Sequence, residues 1–151
     1  YKHGGHRYSR LRNRCMPSTM RKSTHLVRKA HIATDATYEA LGIKRTDKKD
    51  KDQAQARAAM GVALCKYLSH TNACKPLGRD RSTISTYVYK HDDNMKYWSG
   101  YAQKYNVARG ICEIHMHGAA RDYDISVIDR QISQYQKKIN ELQLEKKKLS
   151  S

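Results

Sequence analysis

Phenylalanine is absent from this chain of 151 residues, and tryptophan occurs once. Aromatic packing therefore falls to 11 tyrosines, whose hydroxyls need partners or water when buried. No apolar run approaches the length of a membrane span, and no signal-peptide core is present. A cytoplasmic setting in a prokaryotic cell, phage-infected or not, with a nucleoid association, is the simplest expectation, and no membrane partner is expected. None of the four cysteines, Cys15, Cys65, Cys74 and Cys112, forms a C-x-x-C pair, so free thiols are expected rather than disulfides. Cys112, His115 and His117 lie close in sequence, but two histidines two apart on a helix diverge and no fourth ligand is evident. No metal or other cofactor is expected. There is no G-x-x-x-x-G-K-[ST] phosphate loop, which excludes a P-loop ATPase, and no Ser/His/Asp arrangement stands out. A nuclease built on Glu113, His115 and His117 is the weaker alternative; the expectation is that the chain is not an enzyme and has no catalytic residue.

Acidic residues are few: 14 Asp plus Glu stand against 30 Lys plus Arg, a formal net charge of +16. Such a balance attracts a polyanion without separating DNA from RNA or an acidic membrane. Hydrophobic residues are only 38% of the chain, so the core must be small, and the length fits one domain with extensions.

The most informative stretch runs from Pro76 to Ser85. Pro76 fixes φ and Gly78 permits positive φ, so a tight turn is expected there. Asp80 is a good N-cap, because its carboxylate can accept the orphan N–H groups of the next turn. Ile84, Val88, His91, Met95 and Trp98 recur at helical spacing and predict one buried face. Arg79, Arg81, Ser82 and Thr83 remain at the exposed N-terminal end. A recognition helix meets DNA in this way, its first residues entering the major groove. An ordinary capped surface helix would carry the same pattern.

Gly78-Arg79-Asp80-Arg81-Ser82-Thr83-Ile84 resembles the Gly-Arg-Asp-His-Ser/Thr-Thr-Val signature of the DNA-binding domain of the DnaA family of bacterial replication initiators. In that family the motif opens the recognition helix of a helix-turn-helix. The resemblance covers roughly Leu26 to Tyr97. Ala56 to Leu68 is similar to the family's Ala/Met-rich helix, and Lys44 to Lys51 occupies the place of its basic loop. The chain departs from the family in three places. Arg81 stands where the family has His. Only Ser69 to Leu77 separates Leu68 from the signature, so the first helix of the motif must be cut short or replaced by a loop. Ala58 and Ala59 follow Arg57 where the family has an Arg-Gln pair.

The resemblance implies an all-α fold and a double-stranded DNA partner, in replication or transcription control and without the ATPase. Arg79 and Arg81 would contact guanine or phosphate. Asp80 would cap the helix and accept from cytosine, and Ser82 and Thr83 would reach phosphate or a thymine methyl. Lys44, Arg45, Lys48, Lys49 and Lys51, with Arg57, would hold the backbone or an adjacent minor groove.

Three regions are expected. Residues 1–23 form a basic arm, within a stretch to Arg28 that holds no acidic residue. Residues 24–117 form the helix-turn-helix domain. Here Leu26 to Ala33 predicts a short first helix, and Thr34 or Asp35 a cap for a second that Gly42 ends. Gln53 to Leu68 predicts a third, and Asp92-Asp93-Asn94 either breaks the signature helix or lies on its exposed side. Ser99-Gly100 marks a turn before a helix carrying Tyr101, Tyr105, Ala108 and Cys112 on one face. Residues 118–151 carry Ile125, Ile132 and Ile139 every seven residues, with Ile128, Tyr135, Leu142 and Leu149 offset by three. These are a and d positions of a coiled coil, which points to a homodimer or a partner helix through Ile125–Leu149. The reading from another class is a structural or interaction protein of a nucleoprotein particle, binding RNA or packaged DNA through the arm and docking through the coiled coil.

Overall fold

The computed structural model describes residues 18–151, with side chains from residue 21. The chain is all-α, with no strand among the described residues. Among the described residues six helices follow in order: α1 Ser18–Leu41, α2 Lys51–Leu64, α3 His70–Ala73, α4 Arg81–Tyr97, α5 Tyr101–Met116 and α6 Ala119–Ser150. Two compact units divide between His117 and Gly118. The basic arm lies outside the described residues up to residue 17; residues 18–23 open α1.

A single 24-residue α1 replaces the two helices expected before Gly42. Thr34 does not cap anything: its hydroxyl donates to Ala30 O at 2.7 Å, and Thr37 repeats the bond to Ala33 O at 2.8 Å. Back-bonding inside the helix satisfies both hydroxyls, so both threonines can be fully buried without a break. Gly42 ends the helix at φ +67°, with Gly42 N donating to Glu39 O and Ile43 N to Tyr38 O, each at 3.0 Å. These two bonds are the Schellman pair, which needs a left-handed residue at this position.

Helix α2 is central to the first unit and packs on α1, α4 and α5. It is buried nearly all round, which its run of Ala56, Ala58, Ala59, Gly61 and Ala63 permits by keeping neighbours close. Asp50 caps it, accepting from Gln53 N at 2.8 Å. The helix stops at Leu64, four residues before the expected end; turns carry the chain on to Ser69, which caps the four-residue α3. Met60, Leu64, Leu68, Leu77, Ile84, Cys112 and Met116 build the main core with Ala30, Ala33, Ala63, Ala73 and Ala108. A second cluster joins Ala58, Ala59 and Tyr101 to Tyr87, Met95, Trp98 and Tyr105. Tyrosines and Trp98 supply the aromatic volume there, and the Tyr101 hydroxyl lies 2.8 Å from His91 Nδ1.

Helix α4 runs through Asp92, Asp93 and Asn94 without a break. Its inner face keeps Ile84, His91, Met95 and Trp98 of the expected one and differs at Val88. Ile84 is fully buried and Tyr87 half-buried, whereas Val88 is exposed. Gly61 makes the room for Tyr87, since a Cβ there would lie 3.0 Å from Tyr87 Cδ2 and 3.3 Å from Ile84 Cδ1 and Leu77 Cδ1. Gly100 turns the chain at φ +94° into α5, whose buried face is Tyr101, Ala108, Cys112 and Met116, with Tyr105 beside it. Cys112 is fully buried in that core, and burial pushes its thiol up to about 12. No three His, Cys, Asp or Glu side chains gather as metal ligands among the described residues.

The second unit is one 32-residue helix, α6. Asp122 in its first turn and Lys147 and Lys148 in its last complement the helix dipole. Ile125, Ile128, Ile132, Tyr135, Ile139, Leu142 and Leu149 are all exposed, from 48% at Ile125 and Ile132 to 84% at Leu149. Among the described residues no helix is long and apolar enough to cross a membrane.

Candidate nucleic-acid interface

The approach to α4 is built from the backbone outward. After α3, Gly78 adopts φ +62°, with Gly78 N donating to Lys75 O and Arg79 N to Cys74 O, so a second Schellman turn reverses the chain. Pro76 and Leu77 are buried beneath it. Helix α3 is tied to α4 by His70 Nδ1, 2.9 Å from Ser85 Oγ.

Asp80 then caps α4. Its Oδ1 accepts from Thr83 N at 3.1 Å, from the Thr83 hydroxyl at 2.6 Å and from the Ser82 hydroxyl at 3.1 Å. These bonds, the Thr83 hydroxyl's first, hold the Asp80 carboxyl below its ordinary range. The cap redirects two candidate contacts. Ser82 and Thr83 spend their hydroxyl protons on Asp80, and a phosphate, which only accepts, must compete for them. Oδ2 of Asp80 makes no hydrogen bond among the described residues and remains open to an outside donor. Arg81 is exposed on the first turn, and Arg79 is half-buried just before it.

The loop between α1 and α2 carries the basic run, and its residues divide into two groups. Lys44, Lys48 and Lys49 point to solvent, as does Lys51, which belongs to the first turn of α2 rather than to the loop. Arg45 and Arg57 are structural pins. Arg45 donates to Pro76 O, tying the loop to the turn before α4, lies 3.8 Å from Asp35 and covers the Tyr38 ring at 5.6 Å. Arg57 reaches Thr46 O at 3.5 Å. Gln53 completes the tether, donating to Lys44 O and accepting from Thr46 N.

Two cavities flank this region. One, of about 230 Å³, is walled by Tyr38, Arg45, Thr46, Asp47, Arg57, Leu77, Gly78 and Arg79. It brings three of the candidate arginines together. The Tyr38 hydroxyl is buried with no hydrogen-bond partner among the described residues, an arrangement that costs about 1–3 kcal/mol in general. Burial pushes its phenol above the ordinary value, with the charges of Arg45, Arg57 and Arg79 pulling against that, so it stays a protonated donor. The other cavity, about 370 Å³, lies between α2 and α4 and is walled by Arg57, Tyr87, Lys90, Asn94 and Trp98, among others. Tyr38, Thr46, Gln53 and Lys90 belong to this surface without any sequence motif to announce them, because their significance comes only from neighbours distant in the chain.

No protein-family model, no curated protein and no solved structure matches this chain.

Proposed function

We propose that this chain is a double-stranded DNA-binding protein that uses α3, the Gly78 turn and α4 as a helix-turn-helix, in replication or transcription control. The observation that carries the reading is the Asp80-capped start of α4, which leaves Arg81 exposed on the first turn beside a loop whose Lys44, Lys48 and Lys49 are also exposed. A short helix, a glycine turn and a capped helix with a cationic first turn suit entry into a major groove. The exposed lysines suit flanking phosphates, where each neutralised charge releases counterions. The likeness of Gly78–Ile84 to the initiator signature supports the same assignment. Arg45 and Arg57 serve the interface by shaping the loop as well as by charge.

The apolar seam of α6 favours pairing with a second copy, since exposed a and d positions over three heptads need a partner to be buried. The same seam favours the second reading, a nucleoprotein-particle protein that docks by α6 and binds nucleic acid by charge alone. Selection of bound DNA from a random duplex pool separates the two. Enrichment of a common sequence supports the helix-turn-helix reading. Binding without enrichment, with a steep salt dependence, overturns it in favour of the second.

A further inference from the structure

We propose that the cavity between the α1–α2 loop and the turn before α4 is a phosphate-binding pocket, with Arg79, Arg57, Arg45 and the Tyr38 hydroxyl as its donors. It goes beyond the DNA reading, because these donors would take a phosphate from any carrier. The cavity of about 230 Å³ has room for a tetrahedral oxyanion. Its cationic wall is supplied by three separate segments that converge only in the folded chain. The Arg79 side chain makes no hydrogen bond or ion pair among the described residues, so its whole guanidinium fork is available. Arg45 and Arg57 each spend a single donor on a carbonyl and keep the others. Two carboxylates oppose them: Asp47 on the wall, and Asp35 at 3.8 Å from Arg45. Three guanidiniums against two carboxylates leave the site cationic.

The second observation is Tyr38. It is 4% exposed and lines the same cavity, and its hydroxyl is the unpartnered buried side-chain polar atom among the described residues. Buried polar groups are ordinarily hydrogen-bonded, and one left without a partner beside three arginines is what an anion acceptor would complete.

The test titrates inorganic phosphate into the full chain at constant ionic strength, chloride making up the balance, by calorimetry and by thermal unfolding. Saturable binding that raises the unfolding temperature is expected. Arg79→Gln should weaken it about tenfold or more, the loss of charge-assisted bonds. Tyr38→Phe should leave the phosphate-free protein as stable or more stable, since it removes only the unpaired hydroxyl, while shrinking the gain that phosphate confers. Absence of saturable binding by the unsubstituted chain overturns the proposal, as does equal binding by both variants. Competition with a duplex bearing 5′-phosphates and with the same duplex bearing 5′-hydroxyls identifies the carrier. Displacement by the phosphorylated duplex alone assigns a terminal phosphate, and displacement by both assigns the backbone. Displacement by neither, with phosphate still bound, assigns a free or mononucleotide phosphate. Failure of any duplex to show sequence preference would remove the DNA reading and leave the pocket standing.

Discussion

The Thr83 hydroxyl donates a hydrogen bond to Asp80 Oδ1 across 2.6 Å, on the same oxygen that accepts from the Thr83 backbone N–H. The cap and the candidate contact surface are thus one set of atoms. Asp80→Asn should keep the cap, because Asn is an equally good N-cap. It should also remove a negative charge from the proposed DNA surface, so affinity for random duplex should rise with little change in unfolding temperature. Asp80→Ala should lower the unfolding temperature. Equal stability of all three proteins, measured by thermal unfolding, would show that the cap contributes nothing.

Arg81 is exposed and Arg79 half-buried, so the two arginines should behave differently. Arg81→Ala should cost roughly 1–3 kcal/mol on a selected site and relax preference at one base position. Arg79→Ala should weaken selected and random duplex alike. Binding isotherms on both duplexes check this, and a matching loss for Arg81→Ala on random DNA would place Arg81 on phosphate only.

The α2–α4 packing depends on a missing methyl group at Gly61. Ala there gains up to about 1 kcal/mol of helix propensity, but it must push back Tyr87, Ile84 and Leu77 together. Overpacking of that kind costs about 1–3 kcal/mol, so Gly61→Ala should lower the denaturant midpoint, and Gly61→Val should lower it further. A raised midpoint in Gly61→Ala would mean that α4 moves away freely.

Much of this was legible in the residues, and the limits have physical causes. Asp80 as cap, Gly42 and Gly78 as turns and the Tyr101-Ala108-Cys112 face are local patterns, and they stand in the structure as read. Thr34 reads as a cap from sequence, yet a threonine hydroxyl can equally bond backward within a helix, and only burial decides which. On the inner face of α4 only Val88 gives way, to Tyr87, because the space admitting Tyr87 belongs to Gly61 on another helix. The Tyr38 pocket was invisible for the same reason: its walls come from residues 38, 45, 57 and 79. The pinning role of Arg45 and Arg57 follows from carbonyls distant in the chain, and charge alone suggested only a polyanion.

Acid should weaken the fold. His91 is held below the ordinary value of 6.5, chiefly by burial, with Asp92 opposing. His25 is lowered by burial, then by Lys29 and Arg28. Between those depressed values and 6.5 the unfolded chain holds more protons than the folded one, so stability is full above about pH 6.5 and falls as the pH drops through the window. Tyr101, its hydroxyl pushed up by burial, can donate to a neutral His91, and a charged imidazole loses that acceptor. Urea midpoints at pH 7.5 and 5.5 should differ by less in His91→Gln than in the unsubstituted chain. A flat profile for the unsubstituted chain would contradict this.

For α6, Ile132→Lys with Ile139→Lys places charge in two layers of the seam. The solution mass should fall to that of one chain, and affinity for two linked half-sites should fall far more than for one. An unsubstituted chain that is monomeric at high concentration would count against pairing.

The lone tryptophan of the chain, Trp98, is half-buried at the end of α4, with its ring stacked on Tyr101 at 5.8 Å and the planes 8° apart. It also walls the cavity holding Arg57 and Lys90. Red-edge excitation therefore yields fluorescence from a single address. Its wavelength and lifetime follow the α4–α5 junction as the chain unfolds. A ligand entering the cavity would change the surroundings of the indole, so binding and folding can both be watched optically without a label.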